Sequence, residues 1–299
     1  MKQETVNKTE QDVESELTIS ISENLNISGT LLIGSSNDLA IIVPGSGPTD
    51  RNGNSPLGIT GNSYKLLAES LSNQSLSVFR YDKLGIGNSS RMSEEKITIE
   101  SSARDLMYLV EYFHNTYKTI HLIGHSEGGL IANIAAIELG DSISSLSLLC
   151  STSQSIDSLI LEQLTPYPSL KAEAAKHFGS IKDNEPLTNV SKELIAIFRP
   201  SSVPFLKSSL SNNPTELVSK VSIPTFIIGG TCDIQTPAAH SERLAEYCQN
   251  CNLKIIPEMG HLLKTLNFDC SNAKDAYTNP TLTINDELIQ ILAQFINAN

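Results

Sequence analysis

Ser126 stands in the stretch GHSEGG at 124–129, with Gly124 two positions before it and Gly128 two after. A β-favouring run, TIHLI at 119–123, leads in, and a helical pattern, GLIANIAAIELG at 129–140, leads out. A strand, a tight turn and a helix are the setting in which a serine hydroxyl projects from the turn as a nucleophile. The turn crowds the flanking positions, so both must be small. A serine that only caps the helix is the plainer reading of the same residues. The two readings separate on whether partners for the hydroxyl appear elsewhere in the chain.

Serine is a weak nucleophile near neutrality and needs a base, most often a histidine oriented by a carboxylate. For a nucleophile on such a turn the chain order is serine, acid, histidine. Downstream, FIIGGTCDIQTP carries Asp233 just past a strand-like run, and 28 residues later KIIPEMGHLLK carries His261 in the same position after the next. Both lie where the ligand sites of open parallel sheets form, at the carboxyl ends of strands. Asp157 is the alternative acid. Among the other histidines, His114 and His121 precede the serine, His177 falls in an inserted region, and His240 in the helix after Asp233. His125 is expected to point away from the site.

Attack on a carbonyl creates an oxyanion that needs preorganised N–H donors. The backbone N–H of Glu127, at the start of the helix after the serine, supplies one. The other is assigned to Ser46, in the loop PGSGPTDRNGN at 44–54, with Gly47 as the alternative. In RYDKLGIGNSS (80–90), Asp82, Gly85 and Gly87 read as scaffold, with Arg51 or Lys83 pairing with Asp82 to stiffen the two loops.

These residues need a frame to bring them together. ELTISISE (16–23) and LNISGTLLI (25–33) alternate as an antiparallel hairpin would. The later runs at 39–45, 75–82, 119–126, 145–151, 224–230 and 253–260 are short and apolar, as strands covered on both faces are. Helical spacing fills 63–74, 99–117, 129–140, 237–250 and 285–298, which predicts a parallel sheet with right-handed crossovers. The rhythm breaks between 153 and 219, where helical patches form a candidate lid. The predicted organisation is therefore a core of 1–152 and 220–299 with a cap at 153–219.

With 33 acidic against 21 basic residues, the net charge of −12 argues against nucleic acid or an anionic membrane surface as partner. No apolar run approaches the length of a membrane span, and the first residues lack the apolar core of a signal peptide. The expectation is cytoplasmic, although an exported chain whose leader has been removed would look the same. The five cysteines are odd in number and mostly far apart, so reduced thiols are expected. Cys248 and Cys251 form a C-x-x-C without the further ligands of a zinc site.

Taken in order, PGSGPTDRNGN, RYDKLGIGNSS, GHSEGG, FRPSSVPFL (198–206), GGTCDIQTP (229–237) and GHLLK (260–264) resemble the α/β-hydrolase superfamily. Within it they look like the serine esterase and S33 aminopeptidase-like branch. The resemblance spans roughly 16–298. It implies an α/β fold with an eight-stranded, mostly parallel sheet, a helical cap after the sixth strand, and ester hydrolysis without metal or organic cofactor. Gly260 stands where related sequences often carry Asn, and Leu84 where Arg is commoner; both bear on loop shape.

The expected function is hydrolysis of a small-molecule carboxylic ester of short to medium acyl chain, with Ser126, Asp233 and His261 as the triad. Phe198, Phe205, Leu206 and Tyr167 are expected to line an apolar acyl pocket. A thioesterase or an aminopeptidase shares the chemistry; the latter would need a cap carboxylate such as Glu162, Glu173, Asp183, Glu185 or Glu193 for the substrate's ammonium. A ligand-binding receptor built on the same fold is the alternative from another class. A homodimer is left open as the assembly.

Overall fold

The computed structural model describes residues 13–299. β1 (Val13–Ser22) and β2 (Leu25–Ile33) pair as the expected antiparallel hairpin. β2 also pairs antiparallel with β4 (Ser77–Tyr81). From there the ladders are parallel, through β3 (Asp38–Val43), β5 (Thr119–His125), β6 (Ser145–Leu149), β7 (Thr225–Gly230) and β8 (Cys251–Ile256). The sheet order is β1-β2-β4-β3-β5-β6-β7-β8. Because β3 to β8 run the same way, the loops after them all leave from one edge, and those loops hold the residues singled out for chemistry.

Each face of the sheet is covered by helices whose apolar stripes match it. α2 (Ile99–Phe113) turns Ile99, Ala103, Leu106, Val110 and Phe113 inward, and α3 (Glu127–Leu139) is apolar nearly all round because sheet and helices enclose it. On the other face lie α1 (Ser63–Ser72) and α9 (Asp286–Asn297), which buries Leu288, Leu292 and Ile296. α2 begins at a reciprocal cap: the Thr98 hydroxyl accepts from Ser101 N–H, and the Ser101 side chain accepts from Thr98 N–H. A further core helix, α8 (Ala239–Tyr247), packs on β7 and β8 and adds Leu244 to the core that α2 and α3 share.

Between β6 and β7 the chain leaves the sheet for α4 (Ile156–Gln163), α5 (Pro168–Lys182), α6 (Val203–Leu210) and α7 (Pro214–Val218). Ala174, Phe178, Ile181, Leu194, Phe198 and Leu206 form an apolar cluster of their own there. Two aromatic and aliphatic residues expected in an acyl pocket, Phe198 and Leu206, are thus buried inside this cluster, whereas Phe205 packs toward the main core and Tyr167 is exposed. α7 packs on α3 and α8, and its Val218 joins the main core. The helical unit with a separate core therefore ends at α6.

The thiol expectation needs correcting: Cys232 and Cys270 are joined in a disulfide across 38 positions, while Cys150, Cys248 and Cys251 are free. The segment after β8 folds back over the start of the loop after β7, a proximity that spacing along the chain does not disclose. No helix among the described residues is long and apolar enough to cross a membrane.

Candidate active site

Ser126 follows directly on β5 and precedes the first residue of α3, at φ 53° and ψ −122°. This is backbone that L residues rarely adopt, and it persists only where the surroundings enforce it. The enforcement is visible in the glycines. A Cβ on Gly124 would come 2.6 Å from Gly129 Cα, and one on Gly128 would overlap the Val43 carbonyl at the end of β3. The serine side chain makes no cap hydrogen bond to α3, so the hydroxyl is not used as a helix cap.

Asp233 and His261, on the loops after β7 and β8, meet. His261 Nδ1 lies 2.8 Å from Asp233 Oδ2 and 3.1 Å from Oδ1. A carboxylate accepts, so Nδ1 carries the proton, and among the described residues Nε2 has no partner in the chain. Asp233 also accepts from the N–H groups of Gln235 and Thr236, both at 2.8 Å, and the Thr236 hydroxyl sits 2.8 Å from Oδ2. Burial alone would raise the Asp233 pKa, but the His261 charge and hydrogen bond together with Thr236 outweigh it and pull the pKa down to about 2. The carboxylate stays ionised while buried. Asp157, the alternative acid, instead pairs with Lys182 at 2.6 Å.

The loop after β3 closes against the serine: a Cβ on Gly45 would stand 3.3 Å from Ser126 Cβ. Neither Ser46 N–H nor Glu127 N–H has an acceptor among the described residues. Arg51 does pair with Asp82, donating from Nε at 3.0 Å and Nη2 at 2.8 Å, and its backbone N–H reaches Oδ1 at 2.8 Å. Lys83 goes elsewhere, donating to the Gly45 carbonyl at 2.6 Å. Burial pushes the Lys83 pKa down and that of Glu127 up, and each partly offsets the shift of the other.

Three residues near the site were missed or misread in the sequence. His125 does not point away: its Nε2 lies 2.8 Å from the His261 carbonyl and its Nδ1 2.7 Å from Tyr64 Oη. Tyr64 carried no local signal, since it lies in an ordinary amphipathic pattern 62 positions before the serine. Cys150, buried at φ 48°, brings its thiol within 4.8 Å of the Asp233 and His261 ligand atoms. These three are the metal-capable cluster among the described residues, but the Asp233–His261 hydrogen bond already occupies its centre.

The family model described as serine aminopeptidase, S33 matches residues 57–265. The proline iminopeptidase of Lactobacillus acidophilus is 24% identical over 277 residues, covering 81% of this chain and 87% of its own. Among solved structures, Est1E from Butyrivibrio proteoclasticus with ferulic acid bound is similar at a TM-score of 0.61 and 18% identity, covering 94% of this chain and 96% of its own. A thermophilic esterase from Thermogutta terrifontis gives a TM-score of 0.60 at 18% identity, with 95% and 98% covered. A nucleophile-type turn, a sheet of this order and a family match over more than half the length all agree, and the chain belongs to the S33 serine aminopeptidase family of the α/β-hydrolase superfamily.

Proposed function

We propose that this hydrolase cleaves carboxylic esters of short to medium acyl chain through an acyl-enzyme on Ser126. The observation that carries the reading is the buried Asp233–His261 hydrogen bond, with the His261 carbonyl 2.8 Å from the ring of His125, the residue before a strained Ser126 that caps nothing; among the described residues His261 Nε2 has no hydrogen-bond partner, Ser126 included. His261 Nε2 takes the Ser126 proton as Oγ attacks the ester carbonyl carbon. The oxyanion accepts from the N–H groups of Ser46 and Glu127. Collapse expels the alcohol, which takes its proton from His261. Water, deprotonated by the same nitrogen, then attacks the acyl-enzyme, releasing the carboxylic acid and restoring the Ser126 hydroxyl. Asp233 holds the imidazole in the required tautomer and stabilises its cation. The helices α4 to α6, within the 153–219 insertion, act as a lid that limits acyl length.

The ester reading draws support from Est1E, which holds a carboxylic acid, and from the Thermogutta esterase. Two observations favour a second reading, an aminopeptidase: the family match and the Lactobacillus proline iminopeptidase. Glu173, a carboxylate considered for a substrate ammonium, already accepts from Ser191 N–H at 2.7 Å. Glu162, bonded to Gln154 at 2.7 Å, lies 3.7 Å from His240 and stays half exposed.

The test sets p-nitrophenyl esters of graded length against proline and other amino-acid p-nitroanilides, with a fluorophosphonate probe. Ester turnover, probe labelling at Ser126, and loss of both in Ser126→Ala are expected. Anilide turnover without ester turnover would replace the ester by a peptide substrate. A wild-type protein that is folded yet unlabelled would remove the mechanism.

A further inference from the structure

Gly45 is held from two sides, by the buried Tyr64 and the half-buried Lys83. Its N–H donates to Tyr64 Oη at 2.8 Å, and its carbonyl accepts from Lys83 Nζ at 2.6 Å. The carbonyl matters because it belongs to the same peptide unit as Ser46 N–H. In a trans peptide the two groups point in opposite directions. Fixing the Gly45 oxygen on Lys83 therefore fixes where the Ser46 N–H points, and a flipped peptide would present an oxygen to the oxyanion instead of a donor.

The Tyr64 side of the clamp extends further. Tyr64 Oη lies 2.7 Å from His125 Nδ1, and His125 Nε2 lies 2.8 Å from the His261 carbonyl. One arrangement of protons satisfies all the bonds. A carbonyl only accepts, so His125 Nε2 carries the hydrogen; Nδ1 of the neutral ring then accepts from Tyr64 O–H, whose oxygen takes the Gly45 N–H. Both rings are 3% exposed. Burial first, and the neighbouring His261 charge second, hold the His125 pKa down to about 3, so the ring keeps this neutral form. The chain of bonds ties the oxyanion loop after β3 to the backbone of the residue after β8 that supplies the base.

We propose that Lys83 and the Tyr64–His125 pair are positioning residues for acyl transfer, clamping the Gly45–Ser46 peptide so that its N–H faces the oxyanion at a fixed distance from His261. The inference rests on the acyl-transfer reading above and assigns these side chains no proton-transfer step. Its consequence is confined to the transition state, because the ground-state carbonyl asks less of the donor than the oxyanion does.

The experiment compares wild type with Tyr64→Phe, Lys83→Met and His125→Gln, using the best p-nitrophenyl ester and active-site titration by the fluorophosphonate. Tyr64→Phe changes no charge and little shape. His125→Gln keeps an N–H for the His261 carbonyl but offers Tyr64 no acceptor in the place of Nδ1, so it breaks the pair while keeping the tie to the His261 loop. Per titrated site, Tyr64→Phe and Lys83→Met should lower kcat by about 10- to 100-fold, with KM little changed. The pH dependence of kcat/KM should keep its wild-type shape, and His125→Gln should lower kcat in the same direction as Tyr64→Phe. If Tyr64→Phe does not fold, Lys83→Met carries the comparison on the same readouts. Wild-type kcat per titrated site in the folded variants, or losses that vanish on correcting for active fraction, would overturn the clamp. Absence of labelling in wild type would instead overturn the acyl-transfer reading.

Discussion

Ser126, Asp233 and His261 differ in how much of their behaviour their own surroundings explain. The serine's strain is made possible by Gly124 and Gly128, whose missing side chains let α3 close on β5 and on the end of β3. Asp233 is buried yet ionised because it accepts two backbone N–H bonds besides that of the imidazole. Asp233→Asn should preserve the fold but put the imidazole in the wrong tautomer, lowering kcat by about 10,000-fold, as steady-state kinetics would record. The same substitution affects acid stability. The folded carboxyl has its pKa depressed from 3.8 to about 2, so its stabilisation is complete above pH 4 and is lost as pH falls toward 2. Roughly 2 kcal/mol is involved. Denaturant melts of Asp233→Asn should accordingly show a shallower loss of stability between about pH 4 and 2 than wild type; an unchanged slope would mean that Asp233 is not held ionised as described.

At the level of elements, the loops after β3, β4, β5, β7 and β8 are fastened to one another rather than to solvent. Arg51 and Asp82 join the first two, and Lys83 joins them again at Gly45. His125, at the end of β5, joins the turn at Ser126 to the His261 loop, and the Cys232–Cys270 bond joins the residue before Asp233 to the segment beyond His261. A disulfide spanning a loop of this size contributes on the order of 2–4 kcal/mol. Cys270→Ser should therefore lower the thermal midpoint under non-reducing conditions, and excess reductant should bring wild type down to the variant. Equal midpoints for the two oxidised proteins would show that the bridge contributes nothing. The inserted helices have their own attachment: Arg199 Nε donates to Glu94 Oε2 at 2.8 Å, and Ile99 N–H donates to Ser208 Oγ at 2.8 Å. Glu94→Ala removes the first and should hasten protease cleavage between α5 and α6 while leaving the sheet protected. Cleavage at the wild-type rate would separate that ion pair from the placement of the insertion.

For the whole molecule, the chain by itself determined the kinds of elements and their order, because apolar runs and helical stripes are local consequences of which faces must be buried. The hairpin, the six later strands and the five core helices were all legible, and so was the place of Ser126, Asp233 and His261 in the chain: Ser126 directly after β5, the other two on the loops after β7 and β8. The tertiary structure alone decided the neighbours. Tyr64 became the partner of His125, Lys83 turned to Gly45 instead of Asp82, and Cys232 found Cys270. Phe198 and Leu206 went into the inserted helices' own core. Such contacts are decided by how parallel strands are ordered and how their loops fold over one edge. That order, β4-β3-β5 rather than sequential, arises from packing across many residues and leaves no trace in any single stretch of chain.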